Sequence, residues 1–280
     1  VGCATTAPEP QPPAPPMRQV PSPALVPGTQ AFMNTPGFWI GRHPDPDRLV
    51  MTYDRIAAMN ARTKRHEDSI LDIVDFPASV SGANLKAELQ RGLRWTRWGG
   101  YYLGNGTRPD AAWWKRQEAN LDLEAVGAQV TVRFGLIAAF CDHRALPLQE
   151  GLYKSDINLS FDRLQHDTLD IATPVAILHQ SRDGRWVYAV SPLTRGWLKA
   201  ACVAFCTQDI VKSYIWAEKI VVITAAKADL YTDENLRVYL GRIRMGSRLP
   251  LEDDGGPGRY RVCVPLRKPD GGCAMAYAYV

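Results

Sequence analysis

Apolar positions along this chain switch between two periods. Leu85, Leu89 and Leu93 recur every four residues, which predicts a helix from about Ser81 to Trp95. Leu49, Val50, Tyr53, Ile56, Ala57 and Met59 also fall near helical spacing, with Asp47 placed to cap that helix. From Val130 to Ile137 the pattern becomes that of a strand. Val175, Ile177 and His179 then alternate with Ala176, Leu178 and Gln180, so apolar groups fall on both faces of one strand. Asp183-Gly184 follows, a dipeptide that accepts the positive φ of a tight hairpin turn. Arg185 to Val190 is aromatic and β-branched, as strands prefer. A loop over Ser191 to Arg195 leads to a further strand at Gly196-Trp197-Leu198. Strand patterns recur at 219–224, 228–231, 238–243, 259–266 and 273–280, broken by Gly, Pro and Asp. The expected fold class is α+β: a helical or mixed part, then two small β-barrels.

The amino terminus obeys neither period. Nine prolines fall between Pro8 and Pro27, so this stretch stays extended and builds no core. A tether of about 25 residues at about 3.1 Å per residue spans on the order of 75 Å. Before it stands Val1-Gly2-Cys3-Ala4, small residues around a cysteine. This start is similar to the end of a bacterial lipoprotein signal, with only the last two residues before the cut present. The resemblance implies lipid on Cys3 and, from Ala4, an outer-membrane address. The competing reading is a simple tail or tag.

Composition narrows the classes. With 46% hydrophobic residues in 280 the chain supports real cores, in two or three units. A net charge of +4, with no basic run interleaved with aromatics, gives no case for nucleic acid. No apolar run reaches the roughly 18 residues needed to cross a bilayer. The six cysteines include no C-x-x-C pair, which leaves a structural zinc site with little support; no metal and no cofactor are expected. Cys202 and Cys206 on a straight strand stand about 13 Å apart, too far for a disulfide. Most of the cysteines read as buried free thiols acting as small hydrophobes; the alternative is that Cys263 and Cys273, which flank the turn at Lys268 to Gly272, approach across a hairpin.

Two clusters invite chemistry. In Cys141-Asp142-His143 strand alternation puts the thiol and the imidazole on one face and the acid on the other. The following Arg144 to Pro147 reads as a strand leaving the domain, so no catalytic residue is assigned. Trp95, Trp98, Tyr101, Tyr102, Trp113 and Trp114 surround the turn Gly104-Asn105-Gly106. They read either as a sugar-stacking platform or as core and interface filler.

The strand, Asp-Gly turn, Trp-x-Tyr strand and Gly-Trp-Leu strand resemble a bacterial SH3-like barrel. Together with Phe38-Trp39, Trp95-x-x-Trp98-Gly99-Gly100-Tyr101-Tyr102, Arg144-Ala145-Leu146-Pro147 and Thr173-Pro174-Val175, they resemble the non-catalytic part of NlpC-type peptidoglycan cysteine peptidases. That resemblance implies a lipoprotein tether over 1–30 and a clip-like domain over 31–157. SH3-like barrels follow over 158–215 and 216–280, with the peptidase domain after Val280. The family's Asp-Cys-Ser/Ala-Gly run is absent. The implied role is targeting and substrate gating for an endopeptidase that cuts stem peptides after γ-D-glutamate. The implied partners are peptidoglycan stem peptides, a membrane reached through the lipid, and the downstream peptidase domain, in the periplasm.

The family's first barrel recognises a free amino end, which calls for a carboxylate and an aromatic face or phenol. Asp162, Tyr188 and Trp197 supply those groups, and Arg195 suits a peptide carboxylate. Trp186 and Trp197 read equally as barrel core, and Tyr188 shares a strand face with Trp186. The rival function is a non-enzymatic periplasmic lipoprotein whose barrels bind a protein partner.

Overall fold

The computed structural model describes residues 27–66, 71–254 and 259–280. Cys3 and most of the proline-rich tether lie outside them. The chain divides into two compact units, Val1–Ala58 and Met59–Val280. In the first, helix α1 (Pro36–Ile40) follows a 3-10 turn at Ala31–Asn34. Phe32, Phe38 and Trp39 pack edge to face there, and the Trp39 indole donates to the Met33 carbonyl at 2.7 Å. Helix α2 (Tyr53–His66) runs across the division, and starts later than the hydrophobic spacing predicts.

Helix α3 (Gly82–Trp98) begins as expected, with Ser81 as its cap: the Ser81 hydroxyl accepts from the Asn84 N–H at 3.4 Å. Helix α4 (Ala111–Asn120) is opened by Asp110, which accepts from the Trp113 N–H at 2.6 Å. The paired tryptophans Trp113 and Trp114 are thereby turned into a core, with ring centroids 4.7 Å apart, alongside Leu146, Leu152 and Leu164.

Seven strands form one antiparallel sheet. They are β1 (Arg133–Ile137), β2 (Cys141–Arg144), β3 (Gln165–Leu169), β4 (Pro174–Gln180), β5 (Trp186–Val190), β6 (Arg195–Lys199) and β7 (Val203–Cys206). Their spatial order is β7-β1-β4-β5-β6-β2-β3. The two-sided apolar strand behaves as its alternation requires. Val175 and Ile177 enter one buried cluster, while Ala176 and Leu178 enter the other, which also holds Leu85 and Leu89 of α3. Gly184 closes the β4–β5 hairpin at φ +70°, in the left-handed region that glycine tolerates.

One expectation fails here. Arg144 to Pro147 is not a strand leaving the domain: Arg144 ends β2, which pairs with β3 on one side and β6 on the other, Arg144 opposite Trp197. The sheet therefore recruits strands from both sides of residue 158.

A second, six-stranded antiparallel sheet contains β8 (Ile220–Val222), β9 (Lys227–Tyr231), β10 (Tyr239–Arg244), β11 (Arg248–Asp254), β12 (Tyr260–Arg267) and β13 (Cys273–Tyr279). Its order is β8-β11-β12-β13-β9-β10. Five of the six match the strand patterns in the sequence. Both sheets curl as SH3-like barrels do, and the fold class is α+β. Helix α5 (Gln208–Ile215) joins the sheets; its Tyr214 hydroxyl donates to the Cys263 carbonyl at 2.7 Å. The β12–β13 register puts Cys263 opposite Tyr277 and Cys273 opposite Arg267, so the alternative of a Cys263–Cys273 pairing is ruled out by geometry.

Candidate functional site

Three side chains converge where helix α3 crosses strands β5 and β6. The Tyr188 hydroxyl donates to Glu88 Oε1 at 2.6 Å, and Arg195 Nη1 meets Glu88 Oε2 at 3.1 Å. The fold makes this meeting necessary. Leu85 and Leu89 face the core, which leaves Glu88 on the shoulder of the helix, over the sheet. Register places Arg195 opposite Val190, and Tyr188 opposite Trp197. Tyr188 is only 7% exposed, while the Arg195 side chain is 38% exposed, so the cluster runs from the core outward to solvent. Burial pushes the Tyr188 phenol well above its usual range, and the Glu88 charge and hydrogen bond add to that shift. The phenol is therefore a permanent donor to Glu88.

This trio carries complementary capacity. Two bonds occupy only part of the acceptor capacity of the Glu88 carboxylate, and the phenol oxygen accepts as well as donates. Arg195 keeps N–H groups for a second anion. Such a cluster can receive an ammonium with a nearby carboxylate, the pairing found at the amino end of a short acidic peptide.

The other expected site residues are placed differently. Trp197 is 1% exposed, packed edge to face on Tyr188 at 5.4 Å and on His179 at 6.1 Å. It supports the Tyr188 ring from within the core and offers no face to a ligand. Asp162 takes no part in the trio. Its carboxylate accepts from Arg144 Nη2 at 2.7 Å and from the backbone N–H groups of Leu152 and Leu164, at 3.1 and 2.9 Å. Arg144 is itself buried and donates further to the Leu148 and Glu150 carbonyls. Asp162 thus balances a buried guanidinium.

Glu88 is absent from the residues singled out in the sequence. It left one signal there: it is the single acid of α3, a helix that carries Lys86, Arg91, Arg94 and Arg97.

Cys141 and His143 make no thiol–imidazole site. His143 is 0% exposed, with Nε2 at 3.2 Å from the Ala189 carbonyl oxygen, and burial lowers its pKa to about 4. The Cys141 thiol is pushed up by its neighbour Cys202 and by burial, so it stays protonated. The aromatic group divides: Trp113 and Trp114 are core, while Trp95 and Trp98 of α3 are exposed. Among the described residues no His, Cys, Asp and Glu group can hold a metal, and no helix is long and apolar enough to cross a membrane.

Known proteins are similar to this chain at two levels, a domain and a fold. Residues 152–199 match the SH3 domain of the SH3b1 type. That stretch contains Asp162 and strands β3 to β6, and so Tyr188, Arg195 and Trp197. The fold is similar over most of the chain to a solved structure described as a novel NlpC/P60 endopeptidase from Photobacterium damselae subsp. piscicida. The TM-score is 0.64 at 18% identity, over 86% of this chain and 54% of that one. The chain thus spans about half the length of that protein. No curated protein matches. The resemblance read from the sequence agrees with both findings.

Proposed function

We propose that this chain is the wall-targeting and substrate-gating region of a lipid-anchored peptidoglycan endopeptidase of the γ-D-glutamyl-diamino acid type. In this reading the barrel of strands β1 to β7 receives the free amino end of a trimmed stem peptide, and a peptidase domain of the same polypeptide cuts the bond. The observation that carries it is the Tyr188–Glu88–Arg195 cluster, which joins an anion, a phenol and a half-exposed cation. The SH3b1-type match over 152–199 and the fold shared with an NlpC/P60 endopeptidase support the same reading. The site differs from the sequence expectation: Glu88 replaces Asp162 as the ammonium acceptor, and Trp197 positions Tyr188.

Calorimetric titration with a free-amine muropeptide tests the assignment. Glu88→Gln removes the charge and keeps the shape; it should weaken binding by about tenfold or more, the worth of a charge-assisted hydrogen bond. Arg195→Ala should weaken capture of peptides that carry a carboxylate near the amino end. Unchanged affinity in both variants would remove the trio from the binding site.

Anchoring and an outer-membrane, periplasmic address rest on Val1-Gly2-Cys3-Ala4 and the proline-rich stretch after it. Metabolic labelling with a fatty acid should mark the protein, and Cys3→Ser should abolish the mark. Label persisting in that variant would refute lipidation at Cys3.

A further inference from the structure

Four cysteines meet in two pairs that the functional reading does not use. Phe205 of β7 and Gly272 form a parallel bridge between the two sheets, and the Phe205 N–H donates to the Gly271 carbonyl at 2.9 Å. The next residues along these two strands are Cys206 and Cys273. Parallel neighbours stand about 4.8 Å apart, and a disulfide spans Cα separations of about 4.4 to 6.8 Å. Each thiol shifts the titration of the other, Cys206 upward and Cys273 downward, as close neighbours do.

The second pair lies within the first sheet. The Ala138 N–H donates to the Cys202 carbonyl at 2.8 Å, which holds the turn after β1 against the start of β7. Cys141 opens β2 three residues later. Cys202 packs on the apolar cluster that contains Cys141, and each of these two thiols shifts the titration of the other. The five described cysteines are free thiols.

We infer that Cys206–Cys273 and Cys141–Cys202 are disulfide sites, and that the first of them bolts the seven-stranded sheet to the six-stranded one. The inference stands apart from the choice of ligand for the trio. Each bond forms by exchange with an external disulfide, such as glutathione disulfide or a disulfide oxidase. Cys273 thiolate attacks one sulfur of the oxidant and displaces the other as thiolate. Cys206 thiolate then attacks the Cys273 sulfur of the mixed disulfide, and the remaining half of the oxidant leaves. Two electrons and two protons pass from the cysteine pair to the oxidant.

One thiol of each pair is prepared to start this exchange. The neighbouring Cys141 lowers Cys202 to about 7, and the Lys199 charge assists. The neighbouring Cys206 lowers Cys273, with Lys268 assisting. Cys202 and Cys273 are also partly exposed, so an oxidant reaches them.

The Cys206–Cys273 bond closes a loop of about 70 residues, which should raise Tm by about 10 °C. The test oxidises the chain with glutathione disulfide under native conditions, alkylates it, and maps peptides without reductant. The expected result is linked Cys206–Cys273 and Cys141–Cys202 peptides, with Cys263 alkylated. Cys273→Ser should lose the Tm gain and keep the Cys141–Cys202 link. A pair that remains alkylated after oxidation is struck from the assignment, and linkage through Cys3 or Cys263 in place of these pairs overturns it.

Discussion

Burial decides what each polar residue here can do. Glu88, Tyr188 and Arg195 sit where the core opens to solvent, and they keep unused bonding capacity. His143 is the opposite case. It is fully buried, and its ring is close to the backbone of β6: a Cβ on Gly196 would lie 3.0 Å from it. Its pKa falls from 6.5 to about 4 in the folded chain because burial disfavours the charged ring. The unfolded chain therefore binds the extra proton between these values, and stability is lost as pH falls. The contribution should be complete above about pH 6.5 and lost by about pH 4, a change of about 3 kcal/mol. Denaturant melts across that range check it, with His143→Asn expected to flatten the slope. Asp162→Ala provides a contrast, since it should cost about 3 kcal/mol of stability by leaving Arg144 charged, buried and short of a partner. It should leave the affinity for a free-amine peptide nearly intact, as shown by titration below its melting point.

At the scale of elements, the sheet depends on β2 and β6 running close together. A Cβ on Gly196 would stand 2.6 Å from the Arg144 carbonyl oxygen. Backbone cannot yield cheaply, so Gly196→Ala should cost about 2 kcal/mol in a denaturant melt. Strands β4, β5 and β6 were legible in the sequence because alternation, an Asp-Gly turn and β-branched residues are local signals. Strand β11 was not, since Arg248-Leu249-Pro250 places a proline in the run and Glu252-Asp253-Asp254 lacks an apolar partner set. The strand expected over Arg144 to Pro147 fails for another reason: β2 ends at Arg144, inside the sheet. Its partners are β3 and β6, and nothing in Cys141-Asp142-His143-Arg144 itself encodes that long-range pairing. The same limit hid half of the candidate site. Tyr188 and Arg195 are visible near the hairpin, but the acid that joins them lies on a helix about 100 residues earlier. Asp162 has the right chemistry and is engaged by a buried arginine that only the fold reveals.

Within Met59–Val280, the largest of three buried apolar clusters among the described residues runs through both sheets and under α3 and α5. Polar ties reinforce it: Arg244 Nε meets Asp170 at 2.8 Å and Nη2 donates to the Thr168 carbonyl at 2.7 Å, while Arg267 donates to the Ala200 carbonyl. Packing and polar ties of this kind hold the elements that carry the trio, which should limit the ordering cost of binding. Selectivity for a charged amino end is then the property that the trio should display. The most direct measurement compares two stem peptides of the same sequence against the unmodified chain by calorimetry, one with a free amino terminus and one N-acetylated. The free amine should bind about 10- to 100-fold more tightly, as loss of a charged donor to Glu88 and Tyr188 requires. Equal affinity for the two peptides would contradict the account.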